Sequence, residues 1–442
     1  MASVGGGEEG DSLLTVDESS TGAAATGSRE NHARDVHLLC VAFLLIFLAY
    51  SAAQNLESSV NSENDLGTTS MGILYLSLTL FSLVASPIVK KIGSKNALLL
   101  GTTGYLIFIA SNLIPKWYTM FPASVYLGFS ASIIWVGQGT YLTSAARSHA
   151  NDSHLHEGTV IGHFNGEFWA MFASTQVVGN LLSFILLKNK TEDEHVSRTT
   201  LLFMVFLGSM ALGTILMCFL HKRDTKKEEV SDDSRCHFSC SGIANSIVAP
   251  LLNQRMLLLI PLLAYSGLQQ AFIWDEFTKY IVTPALGISG VGGAMALFGA
   301  CDAICSLVSG RLTSSLISIT VIISLGSFFQ ICVLFWMLFK YSLVAGASRT
   351  LYPLLMAALW GIGDGVYNTQ INALLGMLFK HDMEAAFAQL KVWQSASTAI
   401  VFFLSSYISF HAMLTLIAAA MCVALGGLTV LTFKVEKAFI GT

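Results

Sequence analysis

Twelve stretches along the chain stay apolar for about 20 residues each, the length a helix needs to cross roughly 30 Å of hydrocarbon. They run over residues 36–56, 70–90, 96–114, 119–145, 159–187, 200–220, 256–280, 288–310, 313–339, 350–379, 384–409 and 410–433. Between the sixth and the seventh lies a polar stretch, 221–255, holding Lys222, Arg223, Lys226, Lys227, Arg235 and Arg255, six of the 24 basic residues. A polar hinge near the middle of 442 residues, with six apolar spans on either side, predicts an all-α membrane protein with two six-helix halves, 36–220 and 256–434. The seventh span is crowded at its end by Gln269, Gln270, Asp275 and Glu276, and the tenth is long and interrupted by glycines. Residues 1–35 are rich in Gly, Ser, Ala and acids without apolar periodicity, which predicts a disordered tail, and 435–442 form a short second tail.

Composition turns this pattern into a class. The chain is 53% hydrophobic and 12% charged, against about a quarter charged in soluble domains, so it is an integral membrane protein with the lipid bilayer as its first partner. The net charge of −4 and the scatter of basic residues over loops exclude a nucleic-acid groove. With the amino terminus inside, seventeen of the 24 Lys and Arg residues fall in cytoplasmic segments, which predicts both termini in the cytoplasm. That orientation puts Asn189-Lys190-Thr191 outside and Asn151-Asp152-Ser153 inside, leaving Asn189 as the one credible glycosylation site. In the first tail, Glu9, Leu13 and Leu14 have the spacing of an acidic dileucine sorting signal, a pattern that also arises by chance in unstructured tails. Cys236 and Cys240 in the hinge are free thiols by default, open to palmitoylation or weak zinc binding, and no exoplasmic loop holds a disulfide pair.

The halves repeat each other. Gly137-Gln138-Gly139-Thr140-Tyr141-Leu142-Thr143 in span four aligns with Gly363-Asp364-Gly365-Val366-Tyr367-Asn368-Thr369 in span ten, and Glu167-Phe168-Trp169 in span five aligns with Lys391-Val392-Trp393 in span eleven. Parallel six-helix repeats are the arrangement of the major facilitator superfamily. The loop Ser86-Pro87-Ile88-Val89-Lys90-Lys91-Ile92-Gly93-Ser94-Lys95 resembles that superfamily's signature between spans two and three, with Ser86 at the leading glycine and Lys90 at the aspartate. Those two departures put the usual inward-closing charge lock in doubt.

Ionisable groups deep in a membrane are costly unless paired or hydrated, so each is a functional candidate. Trp360, Asp364, Asn368 and Asn372 recur at four-residue intervals on span ten, a stripe expected to face the central cavity, with Gln138 at the Asp364 position of span four. For Asp364 the alternative is a structural hydrogen bond to an adjacent helix. Glu167 and Lys391 occupy equivalent repeat positions with opposite charge and can form a gate between the halves; otherwise Lys391 snorkels to headgroups. Asp302 has Arg311 as a local partner at the same membrane face, or serves proton coupling. Asn55 and Glu57, with Gln54 and the acids closing span seven, predict an exoplasmic mouth that either attracts cations or is simply solvated. His149, His154, His156 and His163 read as a solvated loop, since no Cys completes a metal site. No phosphate-binding loop, metalloprotease motif or nucleophile elbow is present, which points to neither an enzyme nor a cofactor.

Gln54-Asn55-Leu56-Glu57-Ser58-Ser59-Val60 followed by Leu66-Gly67, then Leu74-Tyr75-Leu76-Ser77, and Leu359-Trp360-Gly361-Ile362-Gly363-Asp364 with Asn368-Thr369-Gln370 resemble the ion-channel regulatory proteins of the Unc-ninety-three-like family. The likeness covers roughly 36–435. It implies a major facilitator fold in a non-enzymatic protein whose relatives regulate potassium channels or escort membrane receptors between compartments; the family leaves the plasma membrane open, while the acidic dileucine leans toward an endosomal or vacuolar membrane. The alternative is a proton-coupled secondary transporter of a small solute or cation, with Asp364, Asn368 and Gln138 as its site and Glu167 for coupling. The residues name neither the partner nor the oligomeric state.

Overall fold

The computed structural model describes residues 17–60, 66–187, 195–223, 252–339, 348–405 and 407–440. The dileucine residues Glu9, Leu13 and Leu14, the sequon Asn189 and the hinge cysteines lie outside them. Each apolar stretch becomes one long helix: α1 (Asp17–Val60), α2 (Leu66–Ile92), α3 (Ser94–Ser111), α4 (Trp117–Asp152), α5 (Glu157–Leu187), α6 (His195–Cys218), α7 (Gln254–Phe272), α8 (Ile288–Leu312), α9 (Leu316–Phe339), α10 (Ser348–Leu378), α11 (Met383–Ser405) and α12 (Phe410–Ile440). Among the described residues, α1, α2, α4, α6, α7, α8, α9 and α12 are long and apolar enough by themselves to cross a membrane.

Two expectations about boundaries change. The first tail is not wholly disordered, because the backbone of α1 reaches back to Asp17. Span seven does not end near residue 280. After Phe272 it widens into a π-helical stretch, Ile273–Val282, and closes as α-helix over Thr283–Leu286. Asp275 and Glu276 belong to that wide turn, and Glu276 is buried.

In the first half α1 packs on α5 and α6, α2 on α4, and α3 on α4; the second half repeats this, with α7 on α11 and α12 and α8 on α10. The halves meet along α5 against α8 and α2 against α11. Without water to squeeze out, membrane helices associate by close van der Waals contact, which small residues permit. Gly162 and Gly166 of α5 supply it: a Cβ on Gly166 would sit 2.7 Å from the Ser306 carbonyl and 2.8 Å from the Gly310 Cα. The sequence repeat is matched in packing, since Gly137 lies against Ala97 of α3 and Gly363 against Gln330 of α9. Gly93, between α2 and α3, has φ of 80°, a conformation that side chains resist, which explains the glycine in that loop.

The first half is filled by rings. Phe47 contacts Tyr105, Trp135 and Phe172 at centroid distances of 4.8–5.2 Å, and Phe43 meets Phe168 at 5.0 Å. The second half is filled differently, by side-chain amides and carboxyls.

Replacing Gly166 by leucine must push α5 off α8. A loss of about 1–3 kcal/mol is expected, the usual cost of overpacking, read as a lower melting temperature of the detergent-solubilised protein. Gly208→Leu, where a Cβ meets nothing within 4 Å, is the matched control and should leave melting unchanged.

Candidate functional site

A hydrophobic helix can bury a glutamine only if another polar group answers it, because lipid offers no hydrogen bond. Gln330 stands in the middle of the otherwise apolar α9, and Tyr265 donates to its Oε1 at 2.6 Å. Its own amide donates to Gln269 Oε1 at 3.0 Å, which also receives Trp360 Nε1 at 2.9 Å. Gln269 Nε2 in turn donates to Asp364 Oδ1, while Asn368 donates to Asp364 Oδ2 at 3.0 Å. Asp302 of α8 accepts from Ser306 at 3.1 Å and lies against α10, its Oδ1 2.8 Å from where a Cβ on Gly365 would sit. α8 and α10 come this close because Gly361 and Gly365 have no side chains: a Cβ on Gly365 would lie 2.5 Å from the Asp302 carbonyl. This network ties α7, α9 and α10 together inside the second half, with α8 packed against α10.

Between the halves lies a cavity enclosing roughly 850 Å³, part of it open to solvent. Its walls come from both repeats: Phe47, Tyr50 and Gln54 of α1, Leu74, Tyr75 and Leu78 of α2, Trp135 of α4, Trp169, Phe172 and Gln176 of α5, Gln270 and Trp274 around the end of α7, Asn368 of α10, and Lys391, Gln394, Ser395 and Thr398 of α11. Trp135 and Trp169 stack with centroids 6.0 Å apart and an 8° interplanar angle. Lys391 Nζ sits 4.4 Å over the Trp135 ring and donates to Gln394 Oε1 at 2.8 Å. Gln54 donates to the Tyr75 hydroxyl at 2.7 Å.

At the end of the bundle where both terminal helices begin and finish, charged pairs join the halves. Lys90 of α2 pairs with Asp382, and Lys380 meets Glu157 at the start of α5 at 2.7 Å. Arg147 of α4 adds a 3.0 Å bond to Glu157 and two to backbone carbonyls of the other half, Gly376 at 2.5 Å and Lys380 at 3.1 Å. Burial pushes the Glu157 carboxyl up, but the hydrogen bonds from Lys380 and Arg147 outweigh it and hold the pKa below its ordinary 4.5. A charge lock is therefore present despite Lys90: there the cation stands on the first half and the acid, Asp382, on the second, while Glu157 and Lys380 pair in the opposite sense. Within the first half, Asp35 is fully buried and accepts from Arg223 at 2.9 Å and Tyr141 at 3.2 Å.

These placements redistribute the expected site residues. Trp360 and Asp364 do not face the cavity; they point into the second half, and of their stripe only Asn368 lines the cavity. Asn372 is buried against the Asn368 carbonyl at 2.8 Å, and Gln138 is buried away from the cavity lining. Glu167 and Lys391 are not partners: Glu167 pairs with His37, whereas Lys391 is buried over Trp135. Lys391 stands eight residues into α11, about 12 Å along it at 1.5 Å per residue, and only 9% exposed, so it does not snorkel. Asp302 has turned to Ser306 and lies against α10 instead of meeting Arg311. The side chains of Asn55 and Glu57 lie outside the described residues. Sequence reasoning passed over Trp135, Gln176, Gln394 and Gln330. For Gln330 a signal existed, a lone amide in an apolar helix, while the cavity aromatics look like any core residue in sequence.

A family model described as "Ion channel regulatory protein UNC-93" matches residues 58–429. The chain is 63% identical over 385 residues to UNC93-like protein 3 of Arabidopsis thaliana, covering 87% of this chain and 82% of that one. It is 31% identical over 410 residues to protein unc-93 homolog A of Homo sapiens, covering 86% and 88%. It is 30% identical over 411 residues to "Putative potassium channel regulatory protein unc-93" of Caenorhabditis elegans, covering 84% of this chain and 57% of that one. Among solved structures, the fucose:proton symporter FucP of E. coli superposes with a TM-score of 0.67 at 12% identity, over 91% of this chain and 99% of that one. A structure of FucP in the outward conformation gives 0.66, also at 12% identity and over the same shares of the two chains. These two likenesses identify the major facilitator fold.

Two outcomes follow from the geometry. Gln269→Leu strands Trp360 Nε1, an amide proton of Gln330 and one Asp364 oxygen, and should destabilise by about 2–5 kcal/mol, whereas Tyr265→Phe removes one hydrogen bond for about 1 kcal/mol. Equal melting temperatures for the two variants would sink the view that Gln269 is the hub. At the charged end, the ion pairs of Glu157 are fully formed above pH 4.5 and are lost as pH falls through its lowered pKa. Maleimide reacts with the thiolate, so opening is read at neutral pH: in a background without the native cysteines, labelling of Thr143→Cys, beside Gly376, should rise when Glu157→Gln removes the same ion pairs. Lys90→Asp should raise labelling at neutral pH, with Asp382→Lys restoring protection.

Proposed function

The chain belongs to the UNC-93 family of ion channel regulatory proteins, and we propose that it acts as a regulatory or escort subunit of another membrane protein, a potassium channel first among candidates. The observation that carries this is the family match over 58–429. The buried network adds support: Asp364, the acid best placed for ion coupling on span ten, is bound by Gln269 and Asn368 inside the second half and lies away from the cavity. A subunit that works through lateral contacts needs a rigid bundle more than a titrating cavity acid. In this proposal both termini and the 221–255 loop are cytoplasmic, residues 36–220 and 256–434 are the two halves, Asn189 carries a glycan, and the membrane is plasma, endosomal or vacuolar, with Glu9, Leu13 and Leu14 as the sorting signal.

A second role, secondary transport, rests on one observation, the cavity between the halves above an end joined by ion pairs.

The two separate in whole-cell recordings of potassium current from cells expressing this chain, a potassium channel, or both. Regulation predicts no current from the chain alone and a changed channel current or surface density when both are present. The regulatory role is lost if the chain alone carries saturable flux and leaves every co-expressed channel unaltered.

A further inference from the structure

Charge across the cavity is one-sided. Lys391 is the one ionisable side chain of Lys, Arg, Asp or Glu type in its walls, and among the described residues no carboxylate pairs with it. Lys391 is 9% exposed as a residue, and its Nζ makes one neutral hydrogen bond, to Gln394, and one contact with the Trp135 ring face. A buried lysine amine without a counter-ion favours its neutral form, since neither a glutamine oxygen nor a ring face compensates the lost hydration, and an arriving anion is what would hold the proton there. Nearby is a second donor without an acceptor: Trp169, 4% exposed and stacked on Trp135, has an indole N–H that meets no hydrogen-bond partner. Around these two donors the wall is apolar and aromatic, as at Phe47 and Phe172.

We propose that the cavity between the halves binds a small organic anion, a carboxylate with an aromatic or apolar body, whose charge is held by Lys391 and whose body rests against the aromatic wall. The ammonium supplies the charge-assisted hydrogen bond, Asn368 and Gln394 supply neutral ones, and the ring faces exclude water from the pair. The site is distinct from the buried acids of α8 and α10, and it selects against cations, which the ammonium repels. It goes beyond the channel-regulating role and stands whether or not the chain regulates a channel.

The test titrates the purified full-length protein in detergent with benzoate, with its uncharged isostere benzamide and with benzylammonium, at constant salt, following the emission of the tryptophans that line the site. Benzoate should bind saturably and about 10-fold or more tighter than benzamide, the usual weight of one charge-assisted bond, and benzylammonium should not bind. Lys391→Met should erase the preference for benzoate over benzamide, and Lys391→Arg should retain it. Trp169→Phe, which keeps an aromatic face but removes the indole N–H, should weaken benzoate a few-fold and benzamide less, with Trp135 and Trp274 left as the reporters. The wild type alone decides the main point: equal affinity for benzoate and benzamide, or no saturable binding of benzoate, overturns the proposal whether or not the variants fold. A preference that persists in a folded Lys391→Met overturns the assignment to this lysine.

Discussion

The hydrogen bonds converging on the Gln269 side chain hold the second half together. In a bilayer every polar group on a spanning helix must find its partner inside the protein. One amide here answers three side chains on two helices at once, accepting from Gln330 of α9 and Trp360 of α10 and donating to Asp364 of α10. Each of those groups would otherwise be stranded at a cost of about 1–3 kcal/mol. Directional bonds of this kind fix helix rotation in a way that interchangeable apolar contacts do not. Asp364 is consequently aimed at α7, and Asn368, one turn further on, is left to the cavity.

The two halves solve one packing problem with different chemistry. The first uses interlocking rings, with Phe47 touching Tyr105, Trp135 and Phe172; the second uses amides and carboxyls. The repeat that relates them survives where the backbone demands it. Gly137 and Gly363 each permit close approach of the equivalent neighbouring helix, α3 or α9, so the glycines persist while the residue after each has diverged to Gln138 and Asp364. Divergence also separates Glu167 from Lys391. One is drawn to His37 on α1, the other is held against Trp135 on α4.

Fold and site were unequally visible in the chain. The twelve helices could be counted because spanning lipid imposes a length and a hydropathy that composition cannot hide, and the repeat could be seen because its glycines are steric requirements. The site was obscured because helix periodicity tells which residues share a face, not which neighbour that face meets. Trp360, Asp364 and Asn368 do share a face, yet that face turns mostly inward. The charge lock at Lys90 was hidden for a similar reason: Lys90 breaks the loop signature by itself, and its compensation, Asp382, lies 292 residues away. α1 and α7 escaped their expected bounds because helix propensity and the wide turn over Ile273–Val282 are local features that hydropathy does not record.

The lock and the network place the molecule's rigidity at its charged end and within its second half, and they leave the space between the halves as the part free to change. α5 against α8 and α2 against α11 are the seams where the halves meet, and glycines line the first of them. A partner gripping lipid-facing surfaces of both halves would sense that movement, and a charge held at Lys391 would bias it, because Lys391 belongs to the second half and Trp135 beneath it to the first. A fold shared with transporters can thus serve regulation without carrying anything across. Two rigid halves, a seam and an occupant that favours one arrangement suffice to make the outer surface depend on what the cavity holds.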